Sequence, residues 1–146
     1  MISVGKLLEI KGHELWSVHP DDSITDAVTL MDEKGIGALP VLLDGKLIGI
    51  ISERDCARKV IINDLPAKET KVKALMTRQV YYTFPEQDVE ACLSIMSKRH
   101  IRHLPVVEDE KVLGLIAMGD VVKDIILEQQ EKIDHLEHYI SWEESY

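Results

Sequence analysis

Aromatic residues, cysteines and long apolar runs are all scarce in this chain of 146 residues. Aromatic side chains make up only 5% of it, so the core must be built mainly from Ile, Val, Leu and Met. The two cysteines, Cys56 and Cys92, form no CxxC pair and are interpreted as reduced residues packed on helices. No apolar run has the roughly 20 residues that cross a bilayer. Because no charged leader precedes an apolar run at the start, we expect a soluble cytoplasmic protein without a membrane partner.

Positive charge is also in short supply. The chain has 17 Lys and Arg residues against 26 Asp and Glu residues, which gives a formal net charge of −9. A protein whose main task is to hold a nucleic-acid backbone needs the opposite balance. We therefore expect no nucleic-acid partner, and any anion site must be local. Hydrophobic residues reach 45%, enough to build a sizeable core.

The chain contains an internal repeat. Residues 20–61 align with residues 85–126 at a constant offset of 65 without gaps, and 12 of the 42 aligned positions are identical. Two copies are too few for a solenoid, so we expect a pseudo-symmetric pair whose faces are buried against each other. The identical positions include Pro20/Pro85, Met31/Met96, Pro40/Pro105, Gly49/Gly114 and Asp55/Asp120.

The first half of each copy predicts a short strand followed by a helix. In the first copy Val18-His19-Pro20 ends the strand, and Ser23 with Asp26 three residues later resembles a capping box. Apolar residues then recur at i, i+3, i+4 and i+7, the spacing of one helical face, and they are interpreted as core. These are Ile24, Ala27, Val28 and Met31 in the first copy and Val89, Cys92, Leu93 and Met96 in the second.

The second half of each copy predicts a hairpin and a closing helix. In the first copy two apolar strands flank Asp44-Gly45, a strong signal for a tight turn. The second copy has Glu108-Asp109-Glu110 there, which predicts a longer or differently shaped turn. The closing helices begin near Ser52 and Met118. Their expected inward residues are Cys56 and Val60 in the first copy and Val122 and Ile126 in the second.

These elements divide the chain into a first repeat at residues 1–62, a polar linker at 63–73, a second repeat at 74–127 and a helical tail at 128–146. The tail continues an apolar seam with steps of four and three residues and one polar member. Two interpretations stay open: a helix folded back onto its own repeat, or an extension that joins two chains. The seam consists of Val122, Ile126, Gln129, Ile133, Leu136 and Ile140.

The most informative motif runs from Gly49 to Asp55, where a predicted strand enters a helix. Gly49 permits close backbone approach. Ser52 lies at the helix start, where free N–H groups favour an anion, and Asp55 projects from the same face three residues later. A carboxylate beside such a helix end suits vicinal hydroxyls next to a phosphate, as in a nucleotide. The alternative is that Ser52 and Asp55 only cap the helix, but the second copy keeps the glycine and the aspartate, Asp120.

The repeated pattern of an aliphatic-Pro-Val strand, a turn and Gly-aliphatic-aliphatic-Ser/Thr-x-x-Asp resembles a pair of cystathionine-β-synthase (CBS) domains, known as a Bateman module. The resemblance covers about residues 1–127, and phrases such as Arg99-His100-Ile101-Arg102-His103-Leu104-Pro105-Val106 resemble the stand-alone two-repeat subfamily. It implies an α+β fold of two βαββα repeats related by a pseudo-twofold axis, with a C-terminal helical extension. It also implies a flat homodimer.

For function, the resemblance implies a regulatory sensor that binds AMP, ATP or NAD between the repeats and signals energy or redox state to a regulated protein or through its oligomeric state. By the family's pattern, Asp55 binds the ribose hydroxyls and Ser52 contacts phosphate. Arg102 and His103 of the opposite repeat supply further phosphate contacts. The second cleft departs from this pattern because Ala117 lacks a hydroxyl and Gly37-Ala38 replaces the basic pair. The predicted nucleotide-binding residues are Gly49, Ser52, Arg54, Asp55, Arg102, His103 and Asp120.

Three rival functions stand beside this one. The first is a structural dimerisation or interaction module with degenerate ligand clefts. The second is an enzyme, for which the sequence offers no nucleophile beside a base and no phosphate-cradling Gly-rich loop. The third is a nucleic-acid binder, disfavoured by the net charge of −9. Two histidine pairs with helical spacing, His100/His103 and His135/His138, supply too few ligands for a metal site and are interpreted as solvated or anion-facing.

Overall fold

The computed structural model describes residues 2–144 and confirms the α+β class. Met1, in the predicted first repeat, and Ser145 and Tyr146, in the predicted tail, lie outside the described residues. The described elements, in chain order, are α1 (Val4–Lys11), α2 (Ile24–Lys34), β1 (Ala38–Leu43), β2 (Lys46–Ser52), α3 (Glu53–Ile62), α4 (Val72–Leu75), α5 (Val89–Arg99), β3 (His103–Glu108), β4 (Lys111–Ala117) and α6 (Met118–Glu144).

Each repeat contributes one antiparallel two-stranded sheet, β1–β2 in the first and β3–β4 in the second, and β2 lies beside β4. The strand predicted before the first helix of each copy is reduced to a single β-bridge, Val18 with Val41 and Thr83 with Val106. Pro20 follows two residues after Val18 and has no N–H to donate, so the pairing cannot extend there. The equivalent bridges confirm that the two repeats share one local geometry.

The helix starts follow the sequence signals. The Ser23 hydroxyl accepts a hydrogen bond of 3.0 Å from the Asp26 amide at the start of α2. The Ser52 hydroxyl accepts one of 3.1 Å from the Asp55 amide at the start of α3. Each cap of this kind contributes about 1 kcal/mol, and the second one fixes where β2 ends and α3 begins.

The turn of the second hairpin differs from its prediction. Glu108 pairs with Lys111, so the loop has the same two-residue length as Asp44-Gly45 in the first hairpin. Asp109 and Glu110 have φ values of 50° and 65°, which is the left-handed geometry that matches the twist of a tight hairpin. The expectation of a longer or differently shaped turn was wrong, because strand pairing on both sides imposes the same left-handed geometry on Glu110 as on Gly45.

The described residues form two hydrophobic cores, and each core includes a short helix that precedes the other repeat in the chain. Val4, Leu7 and Leu8 of α1 pack with the second repeat's residues. Val72 and Leu75 of α4 pack with the first repeat's residues, although the predicted division placed Val72 in the linker. Each core is therefore completed by the segment that precedes the other repeat, which ties the two repeats into one structure.

The inward face of α6 differs from its prediction. Val121 is fully buried and Ile125 packs against the second core, whereas Val122 and Ile126 are 38% and 61% exposed. The prediction that Val122 and Ile126 point inward was wrong by one position. The offset of 65 aligns the buried Cys56 with Val121, which is also buried. Beyond the core the helix continues with exposed side chains through residue 140, so it does not fold back onto its own repeat.

Candidate functional site

A cavity of about 730 Å³ opens between the two repeats, at the junction of β2 with α3 and at the start of β3. It brings together five of the seven predicted site residues: Ser52, Arg54, Asp55, Arg102 and His103. Its other lining residues are Gly37, Ala38, Ile50, Glu53, Ala57, Arg58, Thr77, Gln79, Val80, Tyr81, His100 and Ile101. Its size is within the range of pockets that enclose a small organic ligand.

The Asp55 carboxylate lies one turn into α3 at the wall of this cavity. The Asp55 amide is held by the Ser52 hydroxyl at 3.1 Å, which fixes the backbone of the first turn. The structure gives the half-buried Asp55 side chain no partner of its own among the described residues. Capping therefore accounts for the Ser52 hydroxyl but leaves the Asp55 carboxylate free to accept hydrogen bonds from a ligand.

The cavity is locally basic in a chain that is acidic overall. Three arginines line it, Arg54, Arg58 and Arg102, against the two carboxylates of Glu53 and Asp55. The whole chain, by contrast, carries −9. Guanidinium groups donate well to phosphate oxygens, and the start of α3 adds the favourable end of a helix dipole. The arrangement favours a ligand with anionic oxygens and hydroxyl donors.

His103 adds a titratable donor. Burial lowers the pKa of its imidazole below the usual value, with the charges of Lys11 and Arg102 acting in the same direction and Asp120 opposing them. An anion close to an imidazole favours its protonated form, so a phosphate in the cavity would oppose the effects that lower the pKa of His103.

The rest of the wall is largely apolar. Ile50, Val80, Tyr81 and Ile101 contribute side chains that can cover a flat ring without competing for hydrogen bonds. Tyr81 is itself covered by the Arg99 guanidinium at 5.0 Å from the ring centroid, a cation–π contact that holds the aromatic ring in place. The cavity lining thus combines charged residues with an apolar set, Ile50, Val80, Tyr81 and Ile101, called the apolar slot.

Gly49 does not line the cavity. A Cβ on Gly49 would lie 2.6 Å from Met76 Sδ and 3.1 Å from the Thr77 carbonyl oxygen. The close approach that the glycine permits is therefore between β2 and the segment after α4, and not between β2 and a ligand. Gly114 has the same role in the second repeat, where a Cβ would lie 3.0 Å from Leu8 Cδ2.

Asp120 is the other predicted residue that lies outside the cavity, and its carboxylate has partners. Asp120 Oδ2 accepts hydrogen bonds of 2.7 Å from Lys11 Nζ and 2.9 Å from the Ala117 amide. Lys11 also donates to the Leu115 carbonyl oxygen at 2.8 Å. The two aspartates, equivalent in sequence, therefore differ in structure: Asp55 is free and Asp120 is occupied.

Sequence reasoning missed several residues of the cavity. Arg58 follows Arg54 by one helical turn, a spacing that could have placed both on the same face. Tyr81 lies on an irregular segment with no periodic pattern, so no local signal pointed to it. Outside the cavity, Lys11 was also missed, because its contact with Asp120 spans 109 residues of the chain.

Other chemistry finds little support in the described part of the chain. There, no cluster of three His, Cys, Asp or Glu side chains could hold a metal ion. No described helix combines the length and the apolar character that crossing a membrane requires. Both cysteines are free and buried, as predicted, and burial raises the pKa of the Cys56 thiol to about 11. The Cys56 thiol is therefore protonated and unreactive near neutral pH.

Comparison with known proteins gives consistent results. A profile of the CBS domain matches residues 9–62 and 72–127. The CBS domain-containing protein CBSX3, mitochondrial, of Arabidopsis thaliana is 37% identical over 145 residues, which cover 96% of this chain and 69% of that protein. The CBS domain structure of NE2398 is 45% identical, with a TM-score of 0.81, and the match covers 85% of this chain and 97% of that one.

A further solved structure carries ligands. It is the CBS domain pair of protein MJ0100 in complex with 5′-methylthioadenosine and S-adenosyl-L-methionine. The pair is 27% identical to this chain with a TM-score of 0.76, and the match covers 86% of this chain and 96% of that one. Both of the compounds in that complex contain an adenosine unit.

Proposed function

The chain belongs to the CBS domain family, and we propose that it is a regulatory module that binds an adenosine-containing ligand in the cavity beside Asp55. The observation that carries this proposal is a free carboxylate, Asp55, in an arginine-lined cavity of an acidic chain. The adenosine compounds bound by the CBS pair of MJ0100 support the ligand class.

In this proposal each chemical group of the ligand meets a complementary part of the cavity lining. The Asp55 carboxylate accepts hydrogen bonds from the two ribose hydroxyls, each worth about 1.5–3 kcal/mol because the acceptor is charged. Phosphate oxygens face Arg54, Arg102 and His103, and the base lies against the apolar slot beside Tyr81. AMP, ATP and NAD each offer these three parts, and the Ser52 hydroxyl stays in its capping role until a phosphate approaches.

The proposed regulation depends on the ligand contacting residues of both repeats. Asp55 belongs to the first repeat, whereas Arg102 and His103 belong to the second. A ligand held from both sides favours the arrangement of repeats that brings these groups closest, and it shifts the equilibrium by its difference in affinity between arrangements. The module would in this way report adenylate or redox state to a regulated protein or through its oligomeric state, without catalysing a reaction itself.

A homodimer is part of the proposal, and exposed apolar residues support it. Ile61 and Ile62 at the end of α3 are each 77% exposed, and their equivalents at the offset of 65, Ile126 and Leu127 on α6, are 61% and 55% exposed. Large apolar side chains repeated at symmetric surface positions favour burial in an interface between identical chains. The exposed seam of α6 continues this surface.

The compartment is a separate question. The cytoplasm remains the predicted location, while the Arabidopsis relative is named as a mitochondrial protein. Fractionation of the source cells, with an antibody against this chain, decides between the two compartments.

The proposal is tested by calorimetry with AMP, ATP and NAD on the wild type and on Asp55→Ala. We expect at least one of the three compounds to bind the wild type and the variant to lose about 100-fold or more in affinity, from the loss of charge-assisted hydrogen bonds. Asp26→Ala is the matched control, because Asp26 occupies the same position of a Ser-capped helix, α2, but does not line the cavity.

The rival functions give different results in the same set of assays. A structural module with degenerate clefts binds none of the three compounds. An enzyme turns over the bound nucleotide, and a nucleic-acid binder is retained on DNA in a salt-dependent way. Equal affinity of the wild type and Asp55→Ala for every compound would remove the assignment of Asp55 to ribose.

A further inference from the structure

The second cleft, around Asp120, contains a side chain of the protein itself, that of Lys11. Lys11, the last residue of α1, places its ammonium 2.7 Å from Asp120 Oδ2 and 2.8 Å from the Leu115 carbonyl oxygen. Asp120 and Leu115 are the equivalents of Asp55 and Ile50, both of which line the open cavity in the first repeat. The Lys11 side chain therefore lies where a ligand's hydroxyl donors would have to lie.

An insertion brings Lys11 to this place. The two short helices start in equivalent ways, since the Val4 amide donates to the Gln87 carbonyl at 2.8 Å and the Val72 amide donates to the equivalent Asp22 carbonyl at 2.8 Å. From there, the chain needs three residues more to reach the bridge at Val18 than to reach the equivalent bridge at Thr83. The first helix, α1, has eight residues, against four in α4.

The shorter helix leaves a different arrangement in the first repeat. After α4 the chain turns at once, and Thr77 forms a β-bridge with Ile50 through backbone hydrogen bonds of 2.9 and 3.0 Å. That bridge uses the Ile50 carbonyl, and no described residue forms an ion pair with the Asp55 carboxylate. In the second repeat the equivalent carbonyl, that of Leu115, is taken by the Lys11 ammonium instead.

We infer that Lys11 is the residue that closes the second cleft to adenosine-type ligands, by satisfying the Asp120 carboxylate that would otherwise accept ribose hydroxyls. This inference rests on the proposed function of the first cleft. Lys11 is a specificity-determining residue in this account, since it limits the module to one ligand per chain. The pair is only about two-thirds buried, with the Lys11 and Asp120 side chains 34% and 30% exposed, so removal of Lys11 leaves a carboxylate that water and a ligand can reach.

The test is calorimetric titration with adenosine, which has no phosphate, so that the loss of a cation does not itself weaken binding. We expect one adenosine per chain in the wild type and two in Lys11→Met and Lys11→Ala. Lys6→Met is the matched control: it removes the same charge from the same helix, where the Lys6 ammonium forms an ion pair with the exposed Glu9 at 3.5 Å. It should bind one adenosine. Adding Asp120→Asn to Lys11→Met should return the count to one.

The outcomes separate the inference from the proposed function. One adenosine in the wild type and still one in both Lys11 variants overturns the closure by Lys11 and leaves the function of the first cleft intact. No binding by the wild type but one adenosine in the Lys11 variants supports the closure and removes the proposed function of the Asp55 cleft. Two adenosines in the wild type, or none in any protein, overturn the inference.

Discussion

His100 occupies in the second repeat the position that Gly35 occupies in the first, and both adopt the left-handed conformation, with φ values of 55° and 64°. Both residues end a helix, α5 and α2 respectively. A side chain in this conformation is strained relative to glycine. The strain falls on a residue that lines the cavity, whereas Gly35 does not line it.

We predict that His100→Gly raises the free energy of unfolding by about 1 kcal/mol, because the left-handed backbone carries no penalty in glycine. The same variant should bind ATP more weakly and adenosine with unchanged affinity, because we assign the His100 imidazole, which lines the cavity, to the phosphates of the ligand. Urea unfolding and calorimetry measure the two effects. Gly35→His is the reciprocal control and should lower stability by a similar amount without affecting either ligand.

The His103 imidazole predicts a pH dependence of stability. Burial holds its pKa below the unfolded value of about 6.5, so the unfolded state binds a proton more readily. Stability is therefore unaffected by this group at high pH and falls as the pH drops through about 6.5 toward the folded pKa. Urea unfolding from pH 8 to pH 5 should show a smaller fall in His103→Asn than in the wild type. Parallel curves for the two proteins would contradict the assignment.

Gly49→Ala separates packing from ligand binding. Its Cβ would meet Met76 Sδ at 2.6 Å and the Thr77 carbonyl at 3.1 Å, so the Met76 side chain must move and the Thr77 backbone must give by a few tenths of an ångström. We predict a loss of about 1–3 kcal/mol in the free energy of unfolding, which is typical of an overpacked site. Since Gly49 does not line the cavity, the folded variant should retain its affinity for AMP within about threefold. Thermal denaturation followed by calorimetry measures both quantities.

The exposed seam of α6 predicts self-association. Leu136 is 58% exposed on that seam, and a charge there would be buried at an interface without a partner. Leu136→Glu should shift the dimer–monomer midpoint to at least 10-fold higher protein concentration, measured by light scattering over a dilution series. His135→Glu, at the neighbouring exposed position outside the seam, should leave the midpoint unchanged. A wild type that is monomeric at micromolar concentration would contradict the homodimer.

Much of the fold could be predicted because its signals are local. The capping by Ser23 and Ser52, the tight turn at Asp44-Gly45 and the apolar stripes each depend on residues a few positions apart, and the internal repeat doubles each signal. The repeat also supported the prediction of Asp55, since Asp120 occupies the equivalent position, whereas Arg102 was predicted from the resemblance to the family.

The remainder depends on contacts that no local pattern encodes. The exchange of α1 and α4 between the cores joins segments far apart in the chain, and so does the hydrogen bond from Lys11 to Asp120. The short turn at Asp109-Glu110 is imposed by strand pairing against the preference of its residues. Gly49 was assigned to a ligand because a close approach was expected there, but the approaching group is Met76, which the sequence does not place beside it.

The most direct test of the central claim is the chemical-shift change of backbone amides during titration with AMP, ATP, NAD and S-adenosyl-L-methionine. The account predicts that at least one compound shifts the amides of Asp55, Arg102 and His103 in a saturable way and leaves that of Asp120 nearly unchanged, because Lys11 occupies its carboxylate. No saturable shift with any of the four compounds, or shifts centred outside the cavity, would contradict it.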